Sequence, residues 1–247
     1  MSRVFDSHIH FNMKASDIVN DFKKVASELE GFILILNTDK EKQLFLNFFL
    51  NDFSENYPLS AIALNYELFD SEIIDLLVSK NIKLGIKLHP RLSNITVNNF
   101  KNIYNKMQSL KFSFIIIDCF YYGSNLVNHI NLELSIYIAK KFSNIKVLLA
   151  HGGGHKVLEY MLYTRDLKNI YYDFSFSLAY LKDSSIWVDF IKFFKFNENR
   201  VLFGSDYPEF KIKYMKSCYD EVIKKALNKN NSELIEKLNY KEFLEIE

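Results

Sequence analysis

The sequence predicts an α/β fold: a single (β/α)8 barrel of the TIM type, somewhat distorted, with an extra C-terminal helix. Three observations lead there. Eight short apolar runs recur along 247 residues, amphipathic stretches of helical length lie between them, and the residues able to do chemistry fall at the C-terminal ends of the runs.

The runs come in order. Residues 3–8 open the series with a segment leading into "FDSHIH". Then follow 32–36 ("FILIL"), 59–64 ("LSAIAL"), 82–88 ("IKLGIKL"), 112–117 ("FSFIII"), 145–150 ("IKVLLA"), 169–174 ("NIYYDF") and 199–204 ("NRVLFG"). Each has the length and apolar character of a strand buried on both faces. Between them, "SDIVNDFKKVASELE", "DSEIIDLLVSK", "NLELSIYIAKKF" and "SSIWVDFIKFF" carry helical periodicity, and Ser16 and Asp70 stand where N-caps belong. The segment from Ser232 onward reads as an additional helix packed on the outside of the barrel. A doubly wound sheet also alternates, but with five or six strands, and its nucleotide-binding form shows GxGxxG after the first one. Here "HIHFN" occupies that place, and no Walker A motif occurs.

Bulk properties narrow the class. The chain reads as one domain over residues 1–247, with 49% hydrophobic and 25% charged residues. A formal net charge of +1 provides no basic field for nucleic acid, and no apolar run is long enough to span a membrane. No long apolar stretch follows Met1-Ser2-Arg3, so no signal peptide is read. Cys119 and Cys218 form neither a CxxC pair nor a disulfide framework, which suits a reduced, cytoplasmic setting. The expected partner is a small molecule, with neither nucleic acid nor membrane; a homo-oligomer is compatible with the sequence, and "CFYY" at 119–122 suits either a pocket wall or a subunit contact.

A barrel gathers its chemistry at the C-terminal ends of its strands. On strict alternation Asp6, His8 and His10 share one face of the first strand, placing two imidazoles side by side as a metal site needs. The fourth run ends in Lys87 and His89 before Pro90, the fifth in Asp118, the sixth in His151, and the seventh carries Asp173 and then Ser175. The eighth ends in Asp206 before a second turn-forming proline. Each taken alone has a structural explanation: Asp173 serves equally as a cap, and a lone strand-end histidine is more often a satisfied core residue. Convergence of His8, His10, His151 and Asp206 from three different strands favours function. His129 and His155 fall in or at the start of helices and read as structural. Three of the seven glycines lie together at 152–154, for a tight strand-to-helix turn or for room beside an anionic substrate.

"FDSHIHF", "GIKLHP", "LLAHGGG" and "FGSDYP", in this order and spacing, resemble the amidohydrolase superfamily, and within it the amidohydrolase-related branch of metal-dependent hydrolases and non-oxidative decarboxylases. The tail "IEKLNYKEFLEI" is similar to the final helix of that group. The resemblance implies that His8, His10 and Asp206 bind a divalent metal, zinc first and manganese second, and that Asp206 also takes a proton from the activated water. It implies that His151 is a further ligand or an acid/base. Where the family commonly has a strand-five histidine, this chain has Asp118, read as an oxygen ligand in its place or as the ion-pair partner of Lys87 or of a protonated histidine. Lys87, His89 and Asp173 are expected at the substrate, the first two suiting a carboxylate or phosphate. Asp6 is expected to orient an imidazole from behind. The function implied is hydrolysis of a small polar molecule by metal-activated water. Its alternatives are metal-dependent decarboxylation on the same scaffold and a non-catalytic ligand-binding barrel with a degraded metal site. TatD-like deoxyribonucleases share the opening strand, but their glutamate-bearing fourth strand is missing here, and polymerase-and-histidinol-phosphatase phosphoesterases need more histidines than the six present.

Overall fold

The structure, a computed structural model, describes residues 4–48, 57–123, 130–227 and 232–246, with His129 among the residues outside these ranges. Eight strands lie side by side in chain order, all neighbours parallel: β1 Val4–Ile9, β2 Leu29–Leu36, β3 Leu59–Asn65, β4 Lys83–Leu88, β5 Phe114–Asp118, β6 Lys146–Ala150, β7 Ile170–Asp173 and β8 Val201–Leu202. Sequential parallel pairing requires a crossover after every strand, and helices provide it, as the barrel reading expects. The seam between β8 and β1 closes through Ser7 N–H to Phe203 O, Asp206 N–H to His8 O and His10 N–H to Tyr207 O, each 2.8 Å.

Alternation divides the strands between two apolar regions. Ile33, Ile35, Ala63, Ile116, Leu148 and Leu202 fill the barrel interior, while Leu34, Leu36, Ile86, Ile117 and Leu149 join the outer layer shared with the helices. Parity then turns Lys87, His89 and Asp118 toward the interior, and Cys119 outward, where its Sγ lies 3.5 Å from Ser135 Oγ. Gly85 makes room inside, since a Cβ there would stand 2.2 Å from the Phe114 ring. Strict alternation fails on β1. Two register shifts interrupt its pairing with β2, so Phe5 packs into the interior against Tyr240 while Ile9 belongs to the outer layer.

Two sequence expectations change. The helix Ile18–Ala26 is capped by Asp17 rather than Ser16: the Asp17 carboxylate accepts from Asn20 N–H at 3.0 Å. Asp70 caps its helix as read, accepting from Ile73 N–H at 2.8 Å. The C-terminal helix Ser232–Leu244 does not lie on the outside but closes the N-terminal mouth of the barrel. Tyr240 and Phe243 pack against Phe5, Phe114 and Tyr171. Its polar residues bind strand backbone: Glu236 Oε1 accepts from Phe5 N–H at 2.7 Å and Asn239 Nδ2 donates to Val201 O at 2.7 Å. Each large apolar side chain buried there contributes about 1.5–3 kcal/mol. The plug leaves the opposite, C-terminal mouth as the open end.

Glu236 is the pH-sensitive element of this plug. Burial pushes its carboxyl up to about 7, against the opposing pull of Lys216 and the Phe5 N–H. Between the ordinary glutamate value and about 7 only the folded chain holds the proton, so stability falls as pH rises through that window. Glu236→Gln keeps an acceptor for Phe5 and removes this dependence. Its melting temperature is expected to exceed that of the native chain at pH 8, by a stability gain on the order of 2–3 kcal/mol, with the difference shrinking by pH 5. Thermal melts across pH check this, and a pH-independent difference would refute it.

Candidate active site at the C-terminal mouth

A cavity of about 340 Å³ opens at the C-terminal ends of the strands, at the small end of the range for small-molecule sites. His8, His10, Lys87, His89, Asp118, His151 and Asp206 all line it; Asp173 does not. The seam sets its centre. With Asp206 N–H bonded to His8 O, the β8 carboxylate is held against the β1 imidazoles: Asp206 Oδ1 is 3.4 Å from His8 Nε2 and 3.5 Å from His10 Nε2. Asp206 and His151 both adopt positive φ, at 57° and 65°. Non-glycine residues rarely take this conformation, and it concentrates at functional sites.

Asp173 lies beneath this centre, fully buried. Its Oδ2 meets His8 Nδ1 at 3.2 Å, and its Oδ1 accepts from Ser175 N–H at 2.9 Å, from the Ser175 hydroxyl and from His151 N–H at 3.2 Å. The substrate contact expected of Asp173 does not fit this placement, because it lies outside the cavity lining with both oxygens engaged by His8, His151 and Ser175. It also takes the orienting role expected of Asp6, whose Oδ1 instead accepts from the backbone N–H groups of His8 and Ser205. Burial raises the Asp173 carboxyl, but His8, His151 and Ser175 outweigh it and bring it down to about 2. His8 runs the other way: burial and the Lys87 charge lower it to about 4 despite Asp173. Neutral His8 thus places its proton on Nδ1, toward Asp173, and leaves the Nε2 lone pair facing Asp206.

That arrangement fits a divalent cation. His8, His10 and Asp206 each offer one donor atom to a group whose atoms all lie within 4.8 Å of one another. A His8 lone pair opposite an ionised carboxylate is unfavourable unless a cation sits between them. Ligands about 2.0–2.1 Å from a tetrahedral zinc stand about 3.3 Å apart, close to the spacing seen here. His8, His151 and Asp173 form a second compact group, but Ser175 and backbone already engage its atoms.

Asp118 belongs to neither group. Its Oδ2 lies 3.2 Å from His151 Nε2 and 3.5 Å from His89 Nε2, and it makes no hydrogen bond to Lys87, whose Nζ has no partner among the described residues. Burial would raise this carboxyl, but His89, His151 and Lys87 hold it well below the usual range. His151 carries the complementary charge. Its Nδ1 faces Ser175 O at 2.8 Å and its Nε2 faces Asp118, so both nitrogens act as donors. Burial opposes this, yet Asp118, Asp206 and Asp173 lift the imidazole to about 9. His89 is the neutral neighbour, lowered to about 4 by burial against the pull of Asp118, with Nδ1 accepting from Leu92 N–H at 3.4 Å.

The triple glycine is a packed turn. Gly152, Gly153 and Gly154 all have positive φ, and a Cβ on Gly152 would stand 2.0 Å from Phe174. Sequence reading missed Asn37, Arg91 and Phe176, which also line the cavity, as do Phe120 and Tyr122 from "CFYY". Asn37 had a usable signal, as the first polar residue after the apolar run of β2. Phe176 had none, because an aromatic residue after a strand reads as core.

Asp118→Asn in metal-free protein removes the main force raising His151 and leaves burial opposed only by Asp206 and Asp173. The His151 titration midpoint is expected to fall markedly from about 9. NMR of the histidine ring resonances across pH checks this, and an unmoved midpoint would show that Asp118 is not its partner.

A family model described as Amidohydrolase matches residues 64–223. No curated protein matches the chain. Among solved structures, a probable 2-pyrone-4,6-dicarboxylic acid hydrolase from Acinetobacter baumannii, with citric acid bound, covers 100% of both chains at 14% identity and a TM-score of 0.66. An uncharacterized TIM-barrel protein from Bordetella bronchiseptica covers 98% of both at 14% identity and a TM-score of 0.58. At such identities the likeness is one of fold.

Proposed function

The chain belongs to the amidohydrolase family, and from that premise we propose that it is a metal-dependent hydrolase of a small polar molecule bearing a carboxylate or phosphate. One observation carries the reading: two imidazoles and a carboxylate converge across the barrel seam, with the far nitrogen of His8 held by a buried carboxylate. His8, His10 and Asp206 would hold the ion, zinc first and manganese second because of the oxygen donor. When bound, such an ion lowers the pKa of a coordinated water to near neutrality.

The remaining steps belong to the chain. Burial raises the Asp206 carboxyl, but His10, His8 and His151 hold it far below the usual range. It is therefore ionised at working pH and accepts a proton from the attacking water. His151, whose Nε2–H points at Asp118 in the cavity, is the donor to the leaving group, which takes the place of Asp118 on that proton. Lys87 supplies positive charge to the anionic group of the substrate. Asp173 keeps the His8 ring turned toward the cavity, a role whose loss in metal sites typically costs 10–100-fold in affinity.

After zinc loading and dialysis at neutral pH, elemental analysis is expected to find one retained equivalent. His8→Ala with His10→Ala is expected to retain none, and Asp173→Asn to bind zinc about 10–100-fold more weakly in a chelator competition. Turnover is then read on carboxylate-bearing esters, lactones and amides, with carbon dioxide release followed in parallel. A native chain that retains no stoichiometric metal sinks the proposal and leaves a ligand-binding barrel in its place.

A further inference from the structure

We propose that Ser175 is a positioning residue shared by the two halves of the site: its hydroxyl accepts the Nδ1 protons of His8 and His151 together, so that both Nε2 atoms are aimed into the cavity. The inference rests on the hydrolytic reading, which makes His8 a metal ligand and His151 the proton donor, and it names the residue that holds the two in one geometry. Ser175 is fully buried and is not part of the cavity lining, whereas both rings are.

The Ser175 oxygen is where three groups meet. Its Oγ stands 3.2 Å from His8 Nδ1 and 3.1 Å from His151 Nδ1, and its own proton goes to Asp173 Oδ1. A hydroxyl has one proton and two lone pairs. With the proton committed to a carboxylate, the oxygen only accepts, so each imidazole that meets it brings an N–H. The other neighbours of the two rings require the same. Asp173 Oδ2 lies 3.2 Å from His8 Nδ1, and Ser175 O lies 2.8 Å from His151 Nδ1. A carboxylate and a carbonyl are acceptors. His151 Nδ1 therefore faces both oxygens of one residue, and His8 Nδ1 faces the hydroxyl of that residue and a carboxylate. With Nδ1 protonated in both rings, Nε2 is the atom left for the cavity, opposite Asp206 on His8 and opposite Asp118 on His151.

Two features of the chain bring the hydroxyl there. The first is Gly204. β8 lies between β7 and β1, so His8 and Ser175 come from opposite sides of it. Neighbouring strands are about 4.8 Å apart, and side chains that flank a strand meet only where that strand puts nothing between them. A Cβ on residue 204 would stand 3.0 Å from His8 Cβ and 3.1 Å from Ser175 Cβ, so glycine there leaves the gap open. The second is the turn after β7. Phe176 holds φ 61° and ψ −54°, and Ser177 N–H donates to Ser175 O at 2.6 Å, a three-residue turn that a bulky residue adopts under strain. Ser175 N–H donates to Asp173 Oδ1 at 2.9 Å and the Ser177 hydroxyl donates to His151 O at 2.7 Å, which ties the turn to the residues whose side chains it orders.

Nitrogen-15 NMR of the histidine rings in the full, metal-free chain at neutral pH tests this, with zinc affinity read by chelator competition. The native chain is expected to carry a proton on Nδ1 of both His8 and His151, each slow to exchange with water. In Ser175→Ala both protons are expected to exchange about tenfold faster, the scale of one lost hydrogen bond. Zinc is expected to bind that variant about tenfold more weakly, the lower end of the cost of losing a partner behind a ligand. His89, whose ring is engaged by Asp118 and Leu92, is the control and is expected to keep its native resonances; a general loosening of the fold would move it. Gly204→Ala keeps the hydroxyl but crowds it away from His8, and is expected to release the His8 proton likewise. A melt confirms that each variant is folded, and the native spectrum alone decides the first point. A native His8 protonated on Nε2, or a Ser175→Ala chain that releases neither proton or only one, overturns the proposal. Ring protons as expected without zinc retention or hydrolysis refute the functional reading alone. Zinc retention and hydrolysis with His8 protonated on Nε2 in the metal-free chain refute this inference alone.

Discussion

The closure of β8 onto β1 is the constraint on which the site depends. β8 has only two residues in regular pairing, so the seam is carried by a few backbone bonds on either side of His8. One of them, Asp206 N–H to His8 O, also sets the distance between carboxylate and imidazole. Closing the barrel and assembling the donor group are one event. Residues 198 positions apart in the chain meet because the eighth strand has nowhere else to find a partner.

Burial then assigns charges. His8, His89 and His151 sit in the same cavity, yet two are driven down to about 4 and one up to about 9. The difference is in the partners. His151 has Asp118 on one nitrogen and carbonyl oxygen on the other, so both protons are held. His8 spends its proton on Asp173 and lies in the field of Lys87, while His89 accepts from backbone on one nitrogen. A neutral imidazole suits ligation and a charged one suits proton donation, so one residue type fills two roles through its surroundings.

The plug and the cavity are opposite consequences of the same interior. Small and branched residues fill the middle of the barrel, Tyr240 and Phe243 seal one end, and the side chains of the other end are polar. Sealing the bottom keeps water from reaching the buried carboxylates of Asp6 and Asp173 from below. This matters because their hydrogen bonds orient the β1 strand and the His8 ring.

Sequence alone determined the periodic features: eight apolar runs separated by amphipathic ones, and the placing of His8, His10, Lys87, His89, Asp118, His151 and Asp206 at strand ends. Those follow from parity and strand direction, which are local properties of the chain. It did not reveal that Asp173 would be buried behind His8 rather than open to substrate, which of a metal, Lys87 or a histidine Asp118 would meet, or that the last helix would enter the barrel mouth. Nor did it mark Asn37, Arg91 and Phe176 as cavity residues. Each of these depends on which groups from distant strands come within hydrogen-bonding reach after closure, and on register shifts in β1 that no alternation predicts. Tertiary structure decided them because a buried polar group takes its state from its nearest partner, and those partners lie far away in the chain.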